Sequence, residues 1–370
     1  MTKLSFFHGQ NNSVIYNWDI EKIKYTQREP SEQFQEHLKQ GKKLPENLKY
    51  LKEEYPNAKL KKKIQKPEWS KFRIIHFELT ENCNLRCIHC YGDFPKPGNP
   101  VTLKKYTKTL EKLRKIAETP ALQLIGGEPT LLDNLEQYIE KGKKYAQHVQ
   151  IFTNGYDISR NKLEKFKEAG LDKIRVTLFS SHPKIHDKIT QVEDSWKNTV
   201  RTIENSIDLN IPISVETPIL KENYKTREET KKFIKKKGIK NRQCNVIDAG
   251  RGEGFSPENK TEKVEEVKVP SKKVRISKYY DNCLYRRIAI HPDLTYSSCL
   301  FMGSEILGNI SKQTEKQIKK SLEKGWAKYK PDNLEDCGEC EFKYFCERCR
   351  PRAEEYIKKE NYCGYSPSGG

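Results

Sequence analysis

From Phe72 onward the chain alternates short apolar runs with amphipathic stretches of helical period, and this alternation limits the possible fold more than any other feature. The runs cover residues 74–79, 121–125, 149–152, 174–178, 211–215 and 244–247. Helix-period stretches lie between them, such as 103–117 (Leu110, Leu113, Ile116), 161–169 and 195–209 (Val200, Ile203, Ile207). Six strand signals separated by five helices predict repeated βα units, and therefore a parallel sheet with right-handed crossovers. The expected fold class is α/β, as an open or partial barrel of six units. In such folds chemistry gathers at the carboxyl ends of the strands, so residues just after each apolar run are the candidates for function.

With 370 residues the chain has room for two or three domains. Residues 1–70 are Lys-rich, contain Lys61-Lys62-Lys63, and show one helical pattern through Phe34, Leu38, Leu48 and Leu51 that Gly41 and Pro45 interrupt. They predict a small basic appendage. Residues 71–250 hold the partial barrel, 251–280 read as a polar linker, and 281–365 as a cysteine-rich C-terminal domain. No run approaches the roughly 18 apolar residues of a spanning helix. Seventy Lys+Arg against 51 Asp+Glu give a net charge of +19, which favours acidic partners.

Eleven cysteines are present, and ten of them crowd into two places. The opening residues Met1 to His8 lack the apolar core of a signal peptide, which predicts a cytoplasmic chain with reduced thiols, where such crowding means metal or cluster ligation. Directly after the first apolar run stands Glu81-Asn82-Cys83-Asn84-Leu85-Arg86-Cys87-Ile88-His89-Cys90-Tyr91. Cys83, Cys87 and Cys90 supply three thiolates on one loop, enough for three corners of a [4Fe-4S] cluster with one iron left open to a ligand. Zinc is the competing reading, but His89 sits too tightly between two cysteines to complete a tetrahedron.

This Cys-x3-Cys-x2-Cys loop resembles the radical S-adenosylmethionine (SAM) superfamily, in which the open iron binds the amino and carboxylate groups of SAM. Further matches follow at later strand ends. Gly126-Gly127-Glu128-Pro129 is similar to the family's GGEP segment, which implies glycines that let backbone approach the methionine moiety and a Glu128 carboxylate that accepts from its ammonium. Thr153-Asn154-Gly155 follows the third run. Thr177 corresponds to a serine that contacts the SAM ribose, Phe179 and Ser180 stand where the family carries an Asp, and His186-Asp187 follows. The resemblance implies that His89 lies near the adenine, or else beside the cluster.

Cys283, Cys299, Cys337-x2-Cys340-x5-Cys346-x2-Cys349 and Cys363 resemble the SPASM extension of radical SAM peptide-modifying enzymes, which houses two auxiliary [4Fe-4S] clusters. Leu294 replaces a Gly of that pattern, and the last gap is two residues where three is common; neither change removes a ligand. The resemblance implies Cys337, Cys340, Cys346 and Cys363 on the outer cluster, and Cys283, Cys299 and Cys349 on the inner one. Three clusters with one corner reserved for SAM need eleven thiolates, and the chain has eleven, so Cys244 would close the inner cluster. Two rival readings remain for Cys244: a thiol that returns a hydrogen atom to a substrate radical, or an inert core residue. Asp248, Arg251 and Glu216 lie near strand ends as candidates for a general base.

The resemblance implies three [4Fe-4S] clusters and SAM as cofactors, an electron donor such as flavodoxin or ferredoxin, and a ribosomally made precursor peptide as substrate. The charge fits an acidic leader, docked on the basic stretch 42–73. A C–S (thioether) or C–C crosslink is the leading expectation for the product. The alternatives are a radical epimerase using Cys244, a sulfatase-type or tetrapyrrole-type maturase, and, from another class, a non-enzymatic iron–sulfur protein that binds nucleic acid. Against the last, Lys is spread through the chain without interleaved aromatic platforms.

Overall fold

A computed structural model describes residues 2–61, 63–96, 98–245, 251, 266–302 and 305–346. In chain order its strands and helices begin with β1 (Lys3–His8), β2 (Asn12–Asn17), β3 (Lys22–Gln27), α1 (Arg28–Gln40), α2 (Lys49–Glu54) and β4 (Lys59–Leu60). Then come β5 (Ile74–Glu78), α3 (Leu103–Ile116), β6 (Thr119–Ile125), α4 (Leu135–Lys143), β7 (Ala146–Thr153), α5 (Arg160–Glu168) and β8 (Lys173–Thr177). These lead into α6 (Pro183–Thr190), α7 (Ser195–Asp208), β9 (Ile213–Ile219), α8 (Arg227–Lys236) and β10 (Lys240–Asn245). The chain continues with β11 (Glu266–Lys268), α9 (Ser271–Tyr279), β12 (Arg287–Ile290), β13 (Thr295–Ser297), β14 (Gly308–Asn309), α10 (Glu315–Lys328) and α11 (Glu335–Gly338). Two compact units result, one from 1–68, 258–285 and 326–370, the other from 69–257 and 286–325.

The first unit is built on a five-stranded sheet in the order β11-β3-β2-β1-β4. Alternation along β1 puts Leu4 and Phe6 on one face, where they pack with Phe34 of α1 and Leu51 of α2. Phe7 goes to the other face and joins Val14, Tyr16, Val274 of α9, Tyr344 and Phe345. The sequence predicted only a helical pattern here. The difference arises because β1 and β2 are covered on both faces and lack alternation, and their covering residues come from the far end of the chain. Helix α1 ends at Gly41, whose φ of 68° is left-handed, so the interrupted pattern is two helices. The expected linker is also partly ordered: β11 extends the sheet and α9 covers it.

The second unit carries the expected parallel array. Strands β5 to β10 run side by side in chain order, and β12 adds in parallel on the far side of β5. The α/β partial barrel is therefore present, with the crossover helices supplied by α3 to α8. Residues 286–325 belong to this unit because β12 pairs with β5, so the C-terminal region is divided between two units. The last barrel strand lies at 240–245, upstream of the apolar run read at 244–247; its residues Lys240, Asn241, Arg242 and Gln243 gave no apolar signal. Residues 246–247 lie outside the described residues.

One face of the parallel sheet is apolar and meets the helices: Phe77 packs on Tyr106 of α3, and Ile174 and Val176 are fully buried. The other face carries His76, Gln123, Phe152, Arg175, Thr177, Glu216 and Cys244 by the same alternation. This polar inward face, and the loops at the carboxyl ends above it, position the site.

Candidate active site

The loop after β5 holds Cys83, Cys87 and Cys90, and hydrogen bonds to three neighbours fix its course. Arg86 N and Ile88 N donate to Thr190 O and Ile189 O at the end of α6, both at 3.0 Å. Arg251 clamps the other side: its backbone N–H donates to Cys90 O at 2.9 Å, its Nε to Cys87 O at 3.1 Å, and its remaining nitrogens to Asp93 Oδ1 at 2.6 Å and Phe94 O at 2.5 Å. Two sulfurs accept from nitrogen, Cys90 Sγ from Phe94 N at 3.3 Å and Cys83 Sγ from Asn154 Nδ2 at 3.9 Å.

Burial pushes the Cys83 thiol up to about 12, and burial together with the neighbouring Cys83 and Cys90 raises Cys87 as well. Three desolvated sulfurs grouped this way oppose one another as thiolates until a cation offsets their charge. Among the described residues no three His, Cys, Asp or Glu side chains converge on a single ion position. A cubane cluster needs no such convergence, since each thiolate meets its own iron. A soft all-sulfur set with N–H donors aimed at the sulfurs fits an iron–sulfur cluster, and Cys83, Cys87 and Cys90 would hold it.

The Gly126-Gly127-Glu128-Pro129 segment follows β6, and its glycines pack against the root of the cysteine loop. A Cβ on Gly126 would lie 2.4 Å from Thr80 O, and one on Gly127 2.2 Å from Asn82 O. The space is filled by the chain's own backbone at the root of the cysteine loop, with Gly127 N donating to Thr80 O and Glu128 N to Asn82 O, both at 2.8 Å.

Glu128 likewise has internal work. Its Oε1 accepts from Thr130 N at 2.9 Å, Thr130 Oγ1 at 2.6 Å and Thr153 Oγ1 at 2.7 Å, and its Oε2 from Asn154 N at 2.8 Å. Complete burial raises its pKa, and these four bonds oppose the rise. Thr153-Asn154-Gly155 is thereby tied to the loop after β6, and Asn154 Nδ2 also donates to Asn84 Oδ1 at 2.8 Å inside the cysteine loop.

Thr177 ends β8 on the inward face, level with Glu216 in the register of β8 and β9. Phe179 is buried and meets the His89 ring edge-on, with centroids 4.8 Å apart. Burial lowers His89 to about 4, so the imidazole is neutral, and its buried Nδ1 meets no hydrogen-bond partner among the described residues. Ser180 is buried too and pairs with Thr226 at 3.1 Å, so neither Phe179 nor Ser180 supplies the carboxylate the family places here. His186 Nδ1 accepts from Phe179 N at 3.3 Å, and Asp187 Oδ1 accepts from Ser195 Oγ at 2.7 Å and Trp196 N at 2.8 Å at the start of α7. Both hold the β8 end in place.

Cys244 lies on the inward side of β10, opposite Gln243, whose amide reaches Arg227 O in α8 at 2.6 Å. It is solvent-accessible yet recessed: desolvation and then the Glu216 carboxylate push its thiol up. Glu216 is held by Arg175 at 2.7 and 3.0 Å, and the Arg175 guanidinium rests over Phe152. Asp248, Cys349 and Cys363 lie outside the described residues. Cys283, Cys337, Cys340 and Cys346 belong to the first unit and Cys299 to the second; none of the nine described cysteines forms a disulfide.

Sequence reading missed one buried chain in the second unit. Tyr91 OH donates to Glu78 Oε1 at 2.8 Å, Glu78 Oε2 meets His291 Nδ1 at 2.6 Å, His291 Nε2 meets Ser297 Oγ at 3.1 Å, and that hydroxyl donates to Cys299 O at 2.9 Å. Only the adjacency of Tyr91 to Cys90 and of Ser297 to Cys299 could have signalled it. Arg251, a candidate base from the sequence, clamps the cysteine loop.

Residues 77–234 match the family model of the radical SAM superfamily. An AdoMet-dependent heme synthase of Methanosarcina barkeri is 25% identical over 341 residues, which covers 80% of this chain and 97% of that protein. A probable GTP 3′,8-cyclase of Saccharolobus islandicus is 30% identical over 162 residues, or 43% of this chain and 51% of the cyclase, so this chain spans about half the length of that relative. Among solved structures, Streptococcus suis SuiB bound to precursor peptide SuiA shares the fold with a TM-score of 0.61 at 12% identity, over 99% of this chain and 98% of that one. No described helix is long and apolar enough to cross a membrane.

Proposed function

We propose, from the match of residues 77–234 to the radical SAM family, that this enzyme belongs to that superfamily and modifies a ribosomally made precursor peptide, installing a C–S or C–C crosslink. The observation that carries the peptide reading is extent of fold: the likeness to SuiB, solved with its precursor peptide, takes in both units and not the barrel alone. The [4Fe-4S] cluster and SAM, when bound, supply a 5′-deoxyadenosyl radical that takes a hydrogen atom from the substrate.

The chain's own residues hold and enclose that chemistry. Cys83, Cys87 and Cys90 would ligate the SAM cluster, and Arg251 with the end of α6 fixes their loop. Gly126, Gly127, Glu128 and Pro129 brace it from the β6 end, Thr177 offers a hydroxyl for the ribose, and neutral His89 packs edge-on against Phe179 beside the cysteine loop. Phe179, Ile189 and Leu220 form an apolar cluster against Cys87 and Ile88 that keeps water from the loop. Cys283, Cys299 and Cys349, with Cys244, and Cys337, Cys340, Cys346 and Cys363 complete the reading as ligands of two auxiliary clusters. A flavodoxin or ferredoxin in the cytoplasm would serve as electron donor.

A second reading has its own support. The heme synthase relative matches over nearly its whole length, which favours a tetrapyrrole side chain as substrate. Anaerobic reconstitution with SAM and a reductant tests the shared premise: about twelve irons and 5′-deoxyadenosine are expected, and an iron-replete, reduced protein that makes none refutes it. Mass spectrometry then separates the readings, since a peptide that loses two hydrogen masses on crosslinking supports the first, and an altered porphyrin with unmodified peptide the second.

A further inference from the structure

The inward face of the partial barrel carries more cationic side chains than its carboxylates balance. By alternation β8 turns Lys173, Arg175 and Thr177 inward, β9 turns Ser214 and Glu216, and β10 turns Lys240, Arg242 and Cys244. The register sets these in rows: Ser214 stands between Arg175 and Lys240, and Glu216 between Thr177 and Arg242. Glu216 is the one carboxylate on the inward side of these three strands, and Arg175 occupies its Oε1 through bonds of 2.7 and 3.0 Å. The side chains of Lys173, Lys240 and Arg242 make no hydrogen bond or ion pair among the described residues. Burial lowers the Lys173 pKa, and Arg175 and Lys240 lower it further against the pull of Glu216, so like charges crowd one another here.

Two buried polar atoms on the same face also lack partners. Ser214 is 3% exposed, and its Oγ, in the row between Arg175 and Lys240, meets no hydrogen-bond partner among the described residues. A buried hydroxyl left in that state costs about 1–3 kcal/mol until a ligand supplies the bond. His76 Nδ1 on β5 is likewise buried without a partner among the described residues, and Arg175 lies near enough for its charge to bear on that ring. A hydroxyl flanked by lysine and arginine cations is the donor set that recognises an oxyanion.

Resting on the functional readings above, in which the substrate brings carboxylates as acidic peptide residues or as tetrapyrrole acid side chains, we infer that the inward rows of β8 to β10 form an anchoring subsite for one substrate carboxylate, bound by Lys173, Ser214, Lys240 and Arg242. Arg175, already tied to Glu216, closes one side of it. Thr177 lies two residues further along β8, about 7 Å above the Arg175 row. A carboxylate held in that row leaves the rest of its side chain directed to the strand ends, where the cysteine loop stands. The subsite therefore selects and orients the substrate from below the reaction level.

The test methylates lysines of the full-length reconstituted protein with formaldehyde and a borane at constant ionic strength, and reads each site by mass spectrometry. Saturating glutarate should slow the labelling of Lys173 and Lys240 about fivefold, while dimethyl glutarate should not, and Lys231, exposed on α8, should keep its rate. Ser214→Ala, with its fold checked by circular dichroism, should raise the glutarate concentration for half-protection about threefold, and Arg242→Gln about tenfold. Equal protection by the diester, or of Lys231, overturns the inference. So does tighter protection by inorganic phosphate, which would give the rows to a phosphoryl group. Carbodiimide coupling of Lys173 or Lys240 to a carboxylate of residues 246–265 would show the rows served by the chain itself and overturn it as well. A peptide with one central Glu and coproporphyrin III are then compared as protectants, each against its uncharged form, the Gln peptide and the tetramethyl ester. The stronger of the two identifies the source of the carboxylate, and failure of both overturns the assignment. Labelling needs no turnover, so if glutarate protects nothing while the crosslinked peptide or altered porphyrin still forms, the subsite falls and the proposed function stands.

Discussion

The Glu128 carboxylate accepts the Asn154 backbone N–H at 2.8 Å, and through that bond the loops after β6 and β7 hold one another beneath the cysteine loop. Four donors converge on this fully buried group. Glu128→Gln keeps the shape but turns an amide N–H₂ toward donors. Unfolding by urea should show a loss of about 1–3 kcal/mol, and deoxyadenosine formation should fall with it. A variant of unchanged stability would show that the four bonds do not carry the loop junction.

Gly127→Ala should be worse than its size suggests. Its Cβ would meet the Asn82 carbonyl oxygen at 2.2 Å, and a backbone atom cannot rotate away as a flexible side chain can. The cysteine loop must shift, so iron bound after reconstitution should drop by about four irons, the content of one [4Fe-4S] cluster. Full iron with native absorbance would contradict the close packing.

Arg251 tests the clamp. Arg251→Ala removes the bonds to Cys87 O, Asp93 and Phe94 O while leaving every thiol in place. The SAM cluster should form but bleach faster in air, and its electron paramagnetic resonance signal should broaden. Lysine at this position should rescue little, because one ammonium cannot replace a guanidinium that reaches three acceptors.

Cys244 separates two roles by iron count. Cys244→Ala should lower iron and destabilise an auxiliary cluster if the thiol is a ligand. Unchanged iron with an altered product would instead assign it to hydrogen-atom return on the inward face beside Glu216.

His186 gives a pH dependence. Burial lowers its pKa from 6.5 to about 4, with Asp187 opposing. The unfolded chain therefore takes up the proton first, so this contribution is complete above about 6.5 and is lost as pH falls toward 4. Urea midpoints across that window should decline, and His186→Asn should flatten the slope by up to about 1.4 kcal/mol per pH unit. His76, lowered to about 3 by burial and nearby arginines, keeps part of the slope in the variant.

Much of the second unit was legible because parallel strands buried on one face leave strong local signals. The runs at 74–79, 121–125, 149–152 and 174–178 became β5 to β8, and the cysteine loop, Gly126-Gly127 and Thr153-Asn154-Gly155 all stand at strand ends. Strand β10 was displaced because its polar residues reveal nothing of burial. Strands β1 and β2 of the first unit were hidden for a different reason: Phe7 and Tyr16 owe their burial to Val274, Tyr344 and Phe345, partners hundreds of residues away.

Sequence alone determined the donor set, the strand-end placement of the chemistry and the excess positive charge, since these depend on residue identity and short spacing. Tertiary structure decided which groups each side chain meets. It gave Glu128 to Thr130, Thr153 and Asn154, gave Gly127 its backbone neighbour at Asn82, and turned Arg251 into a clamp. A hydrogen bond or close contact forms only when the crossovers bring distant strand ends within a few ångströms, and no local pattern encodes that distance.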